Sequence, residues 1–151
     1  MSTATLTADR LRLLTLSRDV ERINGYLNDP DVRSGIGHKE LGAIDMTSFI
    51  EVSEHMFFVG DHGGFAALWR APNVYEIHTF ILPSGRGLWA MKAGREAIKF
   101  AKLQSAKMLW TCVPFGRPEI EFFCRAQGFK ATGQILKLLD VPYKIFKLGE
   151  I

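Results

Sequence analysis

The stretch Leu82-Pro83-Ser84-Gly85-Arg86-Gly87-Leu88-Trp89-Ala90 closes one apolar run, passes through a Gly-Arg-Gly loop and opens another. Upstream, Val74 to Leu82 reads as a strand, with Val74, Glu76, His78 and Phe80 on one face. Downstream, Gly87 to Leu103 reads as a helix. Leu88, Met91, Ile98 and Ala101 share its stripe, widened by Ala97, and Lys92, Arg95, Glu96, Lys99 and Lys102 occupy the rest. A strand end, a Gly-X-Gly loop and a helix start together make an anion site. Glycine lets a ligand approach the backbone, and the helix offers unpaired N–H groups at the positive end of its dipole. The same three letters also suit a plain tight turn, so the loop needs its context.

Working outward, Leu11 to Leu16 reads as a first strand, with Ser17 as the cap of a helix running to Leu27. Asn28-Asp29-Pro30 stops that helix. Residues 34–42 form a glycine-rich loop, and Thr47 to His55 a short helix. Met56 to Gly60 and Phe65 to Arg70 pair through an Asp61-His62-Gly63-Gly64 turn. After the long helix come a strand at Met108 to Val113, a helix at Arg117 to Gln127 closed by Gly128, and strands at Phe129 to Leu139 and Tyr143 to Leu148. This order predicts an α+β fold, one mixed and mostly antiparallel sheet flanked by helices on both faces, in a single domain over residues 1–151.

The composition agrees. The chain has 151 residues, 47% of them apolar and 23% charged, enough for one hydrophobic core. No apolar run nears the roughly 20 residues of a membrane span, and the first residues lack a signal-peptide core, so a cytoplasmic protein is expected. Two cysteines, Cys112 and Cys124, make no disulfide framework, and no metal-ligand spacing appears. Charge is uneven. Residues 1–85 carry 7 Lys/Arg and 11 Asp/Glu, a net −4, whereas residues 86–151 carry 12 and 5, a net +7. A basic second half fits a phosphorylated cofactor, nucleic acid, or simply a solvated helix face. No arginine-rich run or nucleic-acid motif occurs, and the basic residues are spread over several elements, which speaks against nucleic acid.

At the Gly-Arg-Gly loop the chain resembles the GNAT superfamily of N-acetyltransferases. There a strand, a loop of pattern Gln/Arg-x-x-Gly-x-Gly/Ala and a long helix hold the coenzyme A pyrophosphate on backbone amides. Ser84, Gly85, Arg86 and Gly87 fall on the last four positions, while Leu82 departs from the Gln/Arg preference. Arg10-Leu11-Arg12-Leu13 with Leu27-Asn28-Asp29-Pro30-Asp31-Val32-Arg33 is similar to the opening of the branch that acetylates protein N-termini. The Phe122 to Lys130 segment, with its Gly128-Phe129 pair, is similar to the family's late helix. His62-Gly63-Gly64-Phe65 and Tyr75-Glu76-Ile77-His78-Thr79 resemble GNAT-like proteins of bacteriophages and prophages.

The resemblance implies acetyl-CoA as co-substrate and an amine or protein as acceptor. It implies a cofactor site at Ile81, Leu82, Ser84, Gly85, Arg86, Gly87, Leu88 and Trp89, with the two central strands splaying apart at Leu82 and Val113 to admit the cofactor. A side chain at Gly85 is expected to fill the phosphate cradle. Arg117 stands where the family tends to carry an Asn that contacts the cofactor. Glu76 matches the strand position of a general base in some members, and His78 is the other candidate. Alternatively, Glu76 and His78 pair with each other or with a nearby Arg. Cys124 occupies the position of the family's usual Tyr proton donor, and otherwise reads as a small buried apolar residue. The missing Tyr and Asn keep a second reading open: a catalytically inactive GNAT-like structural or virion-associated phage protein, or a binding module. The final strands could pair across a homodimer.

Overall fold

A computed structural model of the chain describes residues 11–36 and 42–149. Residues 37–41, which hold part of the glycine-rich loop, and Arg10 of the N-terminal motif lie outside the described residues. The elements in order are β1 (Thr15–Leu16), α1 (Val20–Asn28), α2 (Pro30–Arg33), α3 (Thr47–Ile50), β2 (Met56–Gly60), β3 (Gly63–Ala71) and β4 (Val74–Ile81). A 3-10 turn (Pro83–Gly85) leads to α4 (Leu88–Leu103), β5 (Met108–Pro114), α5 (Pro118–Ala126), β6 (Lys130–Leu138) and β7 (Val141–Leu148). The strands form one seven-stranded sheet in the order β1-β2-β3-β4-β5-β7-β6. Every neighbouring pair is antiparallel except β4–β5.

Alternation along the strands sorts the apolar residues to two faces. Phe57, Val59, Ala66, Leu68 and Phe80 pack against Ile23 and Leu27 of α1 and Val32 of α2. On the other face, Phe58, Phe65, Ala67 and Ile81 meet Ala90, Ala93, Ala97 and Phe100 of α4. Farther along the sheet, Leu109, Val113 and Phe146 pack with Ala101 of α4 and Cys124 of α5. The expected α+β architecture, a mostly antiparallel sheet with helices on both faces, is what the chain adopts.

Where local boundaries differ from expectation, a long-range polar partner is usually the reason. Residues 11–14 are not strand, because the amides of Arg12, Leu13 and Leu14 donate to the Glu96 carboxylate at 3.0–3.3 Å. Only Thr15 and Leu16 pair with β2. The cap of α1 is Asp19, whose side chain accepts from the Arg22 amide, while Ser17 accepts from Asp19. Asp29 both ends α1 and caps α2, with Pro30 in the first turn. The helix expected over residues 47–55 stops at Ile50, because the Arg18 guanidinium takes the carbonyls of Ile50, Val52, Ser53 and His55. The β2–β3 turn is two residues, Asp61 and His62, with Gly60 opposite Gly63, so Gly63 and Gly64 belong to the strand. The buried face of α4 is Ala90, Ala93, Gly94, Ala97, Phe100 and Ala101. It shares Ala97 and Ala101 with the expected stripe but is rotated away from Leu88, which is 70% exposed. Small residues allow close approach: a side chain at Gly94 would meet Gln127 of the α5 cap at 2.8 Å.

Glu96 ties the chain's first described residues to the crossover helix. Charge-assisted bonds to backbone amides lie at the strong end of the hydrogen-bond range. Glu96→Ala is expected to cost about 2 kcal/mol. A urea titration would show a lower midpoint with an unchanged slope, and an unchanged midpoint would refute the anchor.

Candidate functional site

The parallel β4–β5 ladder is short. It joins Val74, Tyr75 and Glu76 to Met108, Leu109 and Trp110, and then ends. Beyond it the Thr111 hydroxyl donates to the Ile77 carbonyl at 2.8 Å. From there β4 continues to Ile81 paired only with β3, and β5 continues to Pro114 paired only with β7. The ladder of the two central strands therefore ends six residues before Leu82 on β4 and three residues before Val113 on β5. The result is a wedge whose walls are the free edges of β4 and β5.

At the β4 end of the wedge stands the loop. The Leu82 amide donates to the His62 carbonyl at 2.8 Å, and Gly85 and Arg86 close the 3-10 turn onto Leu82 and Pro83. Gly87 caps α4 at φ 103° and ψ −128°, a conformation suited to glycine, with no side chain capping the helix. The first intrahelical bond runs from Met91 to Gly87, so the amides of Leu88, Trp89 and Ala90 precede it. A Cβ on Gly87 would meet nothing within 4 Å, whereas one on Gly85 would lie 2.3 Å from the Cβ of His62. The open position over the loop is thus Gly87. Gly85 is packed beneath His62, which corrects the expectation that a side chain there would project into the cradle.

Arg86 ties the loop to the opposite face. Its guanidinium donates to the carbonyls of Ile81, at 3.4 Å, and Asp31, at 3.0 Å. Arg117 precedes α5, and its Nε donates to Glu119 Oε1 at 2.6 Å. That bond holds the exposed Glu119 carboxyl below its ordinary range, and the charge of Arg86 adds to the effect. Arg86 and Arg117 are thus both near enough to Glu119 for their charges to act on it. Ile81 is buried, and Trp89 stands edge-on to His62 at 5.0 Å between ring centroids.

Glu76 and His78 lie side by side, on the sheet face that carries Phe80 and packs against α1 and α2. Glu76 is only 7% exposed. His78 Nε2 lies 2.9 Å from its Oε2, and Arg70 Nε donates to its Oε1 at 2.7 Å. Burial works against the charge, but the hydrogen bonds and positive charges of His78 and Arg70 outweigh it and hold the carboxyl below its usual range. With Nε2 on the carboxylate, Nδ1 is the imidazole nitrogen left for other chemistry. Arg70 was legible only as a strand end. It sits at the irregularity in the β3–β4 ladder between Trp69 and Ala71, and bulges commonly re-aim a side chain.

Cys124 is apart from these groups. It packs in the cluster of Ala101, Val113, Phe129 and Phe146, and burial pushes its thiol up to about 11. Cys112 is also pushed to about 11, first by burial and then by the nearby Glu76 charge. His55 is buried and accepts the Trp69 amide on Nδ1, and burial lowers its pKa. A cavity of about 250 Å³ lies between Leu11 and the Lys92–Leu103 part of α4, away from the loop. Among the described residues no group of three His, Cys, Asp or Glu side chains is placed to hold a metal ion, and no helix is long and apolar enough to cross a membrane.

No protein-family model and no curated protein matches the chain by sequence. Solved structures do match in shape. The aminoglycoside acetyltransferase AAC(6')-Ib, in complex with paromomycin and acetyl-CoA, superposes with a TM-score of 0.71 at 15% identity, over 91% of this chain and 92% of that one. A spermidine N-acetyltransferase SpeG chimera from Vibrio cholerae gives 0.71 at 14% identity, over 91% and 95%. A GNAT-family acetyltransferase from Bacillus anthracis gives 0.68 at 14% identity, over 92% and 96%. The chain therefore has the fold of the GNAT-type acetyltransferases, over nearly the full length of both partners.

Proposed function

We propose that the chain is an N-acetyltransferase that uses acetyl-CoA and acts on an amine. The observation that carries this reading is the gap between β4 and β5. Through it the glycine loop, on the α4 side, communicates with the Glu76–His78 pair, on the α1 side. A cofactor held from one face and an acceptor entering from the other would meet in the gap. The structural likeness to acetyltransferases solved with coenzyme A or acetyl-CoA supports the same reading.

The loop suits a pyrophosphate. Gly87 leaves open space above the backbone, and α4 presents uncapped amides at its positive end. Arg86 of the loop itself adds positive charge, and we assign Arg117 as a second cation for the phosphates. The free β4 edge from His78 to Ile81 offers backbone groups to an extended ligand arm. Bound there, acetyl-CoA supplies an activated acetyl thioester. His78 Nδ1 takes the proton from the acceptor amine. Glu76 Oε2 accepts the hydrogen bond from Nε2–H, which fixes the tautomer, and its charge stabilises the imidazolium that forms. Arg70 holds Glu76 in turn. Its burial in the apolar cluster leads us to assign Cys124 to packing.

Calorimetric titration with acetyl-CoA, followed by an amine and peptide screen for turnover, tests the reading. Micromolar binding with turnover supports it. Binding without turnover would leave a cofactor-binding module, and no binding at millimolar cofactor would remove the enzyme reading. His78→Asn is expected to lower kcat by about 100-fold or more with little change in cofactor affinity. Glu76→Gln, which keeps the shape and loses the charge, is expected to cost roughly tenfold in kcat. Full activity in His78→Asn would move the base elsewhere. Gly87→Ala should weaken acetyl-CoA binding about tenfold or more while circular dichroism shows the helices retained, because its Cβ enters the space above the loop and strains the positive-φ backbone that aims the loop amides. Wild-type affinity in that variant would displace the phosphate site.

A further inference from the structure

His62 sits at the tip of the β2–β3 hairpin, outside the loop, yet it touches four of the loop's residues. Its carbonyl accepts the Leu82 amide at 2.8 Å. Its Nδ1 lies 2.8 Å from the Ser84 hydroxyl. Its Cβ fills the space where a side chain on Gly85 would stand, 2.3 Å from that position. Its ring meets Trp89 of α4 edge-on, 5.0 Å between centroids. The hairpin tip is itself braced from the far face. Arg22 and Tyr26 of α1 donate to the Gly60 carbonyl at 3.1 and 2.7 Å.

Each contact alone is ordinary. Together they close the three ways the loop could move: Leu82 hinges its start, Ser84 and Gly85 form its body, and Trp89 begins the helix that ends it. An anion cradle made of backbone amides works only if those amides stay aimed at one point, since the affinity lies in having ordered them beforehand. Within the loop itself only the Gly85 and Arg86 amides are tied, to Leu82 and Pro83. The Arg86 guanidinium adds ties to the Ile81 and Asp31 carbonyls, and His62 is the outside brace on Leu82, Ser84, Gly85 and Trp89.

We propose that His62 is a positioning residue for the anion-binding loop: through Ser84, Gly85 and Trp89 it holds residues 84–89 in the conformation that receives the cofactor phosphates. The proposal rests on the acetyl-transfer reading for the identity of the ligand. It also supplies a reason for the short hairpin. A two-residue turn, with Gly60 opposite Gly63, carries His62 to the end of β4, where Gly63 pairs with Ile81.

The test compares acetyl-CoA affinity and steady-state kinetics in His62→Ala, His62→Asn, His62→Leu and Ser84→Ala. Asn places an amide atom where the imidazole has Nδ1, and Leu supplies bulk alone. His62→Ala is expected to bind acetyl-CoA about tenfold more weakly, with a raised KM for acetyl-CoA and kcat at saturation within about twofold of wild type. His62→Asn should recover to within about threefold, His62→Leu should not, and the His62→Ala/Ser84→Ala double variant should lose no more than His62→Ala. Wild-type affinity in His62→Ala, or equal recovery by Leu and Asn, overturns the proposal. Amide hydrogen exchange at Gly85 and Arg86 in the unliganded protein reads the brace without any cofactor. Faster exchange in His62→Ala than in wild type upholds it, and equal exchange overturns it. If wild-type protein binds no acetyl-CoA, the acetyl-transfer reading fails, while the exchange result still decides the brace.

Discussion

Three residue pairs of parallel ladder, Val74 to Glu76 against Met108 to Trp110, hold the two halves of this sheet together. Their early end is the constraint around which the rest is arranged. Unpaired backbone groups inside a sheet cost free energy unless something satisfies them. Thr111 satisfies one, by placing its hydroxyl on the Ile77 carbonyl. Past that point each strand keeps only its outer partner, β4 on β3 and β5 on β7, and the facing edges are left unpaired. On the α4 face a helix surface of alanines, one glycine and Phe100 packs the crossover helix onto β2, β3 and β4. On the opposite face α1 and α2 cover β2, β3 and the end of β4. The opening runs between these layers.

The electrostatics follow the same division. Glu76 lies near the point where the ladder ends, and Arg70 and His78 compensate its buried charge. A carboxylate held from both sides is better suited to orient a neighbour than to collect protons itself. The second half of the chain holds the excess positive charge, and Arg86 brings part of it onto the glycine loop. The Glu119 carboxylate on Arg117 occupies another of its cations, as a surface anion that a phosphate would have to displace or share.

Much of the architecture was legible because it is written in short-range signals. The period of two in Val74 to Phe80 put Glu76 and His78 on one face, where they are. Glycine spacing marked the loop, and turn chemistry marked the hairpins. What the sequence concealed depends on partners far along the chain. The segment before β1 loses its strand character to Glu96, and the segment after α3 loses its helix to Arg18. The buried stripe of α4 was read about one residue out of phase, because alanine and glycine signal burial weakly while Leu88 and Met91 signal it strongly. The sequence marked Arg70 only as a strand end and His62 only as a turn residue. One depends on a ladder irregularity, the other on the length of a turn.

The brevity of the β4–β5 ladder also bears on how the molecule assembles. On one side, β2, β3 and β4 follow one another through short turns; on the other, β6 and β7 form a tight hairpin that β5 joins across α5. Each group is built mainly from contacts close in sequence, which form fast. The seam between them needs the whole of α4 to be in place before three pairs can register. The two groups are therefore expected to behave as separate cooperative units, with the seam last to form and first to open. A ligand lodged between them would act as the missing length of ladder, fastening halves that the backbone alone joins only briefly.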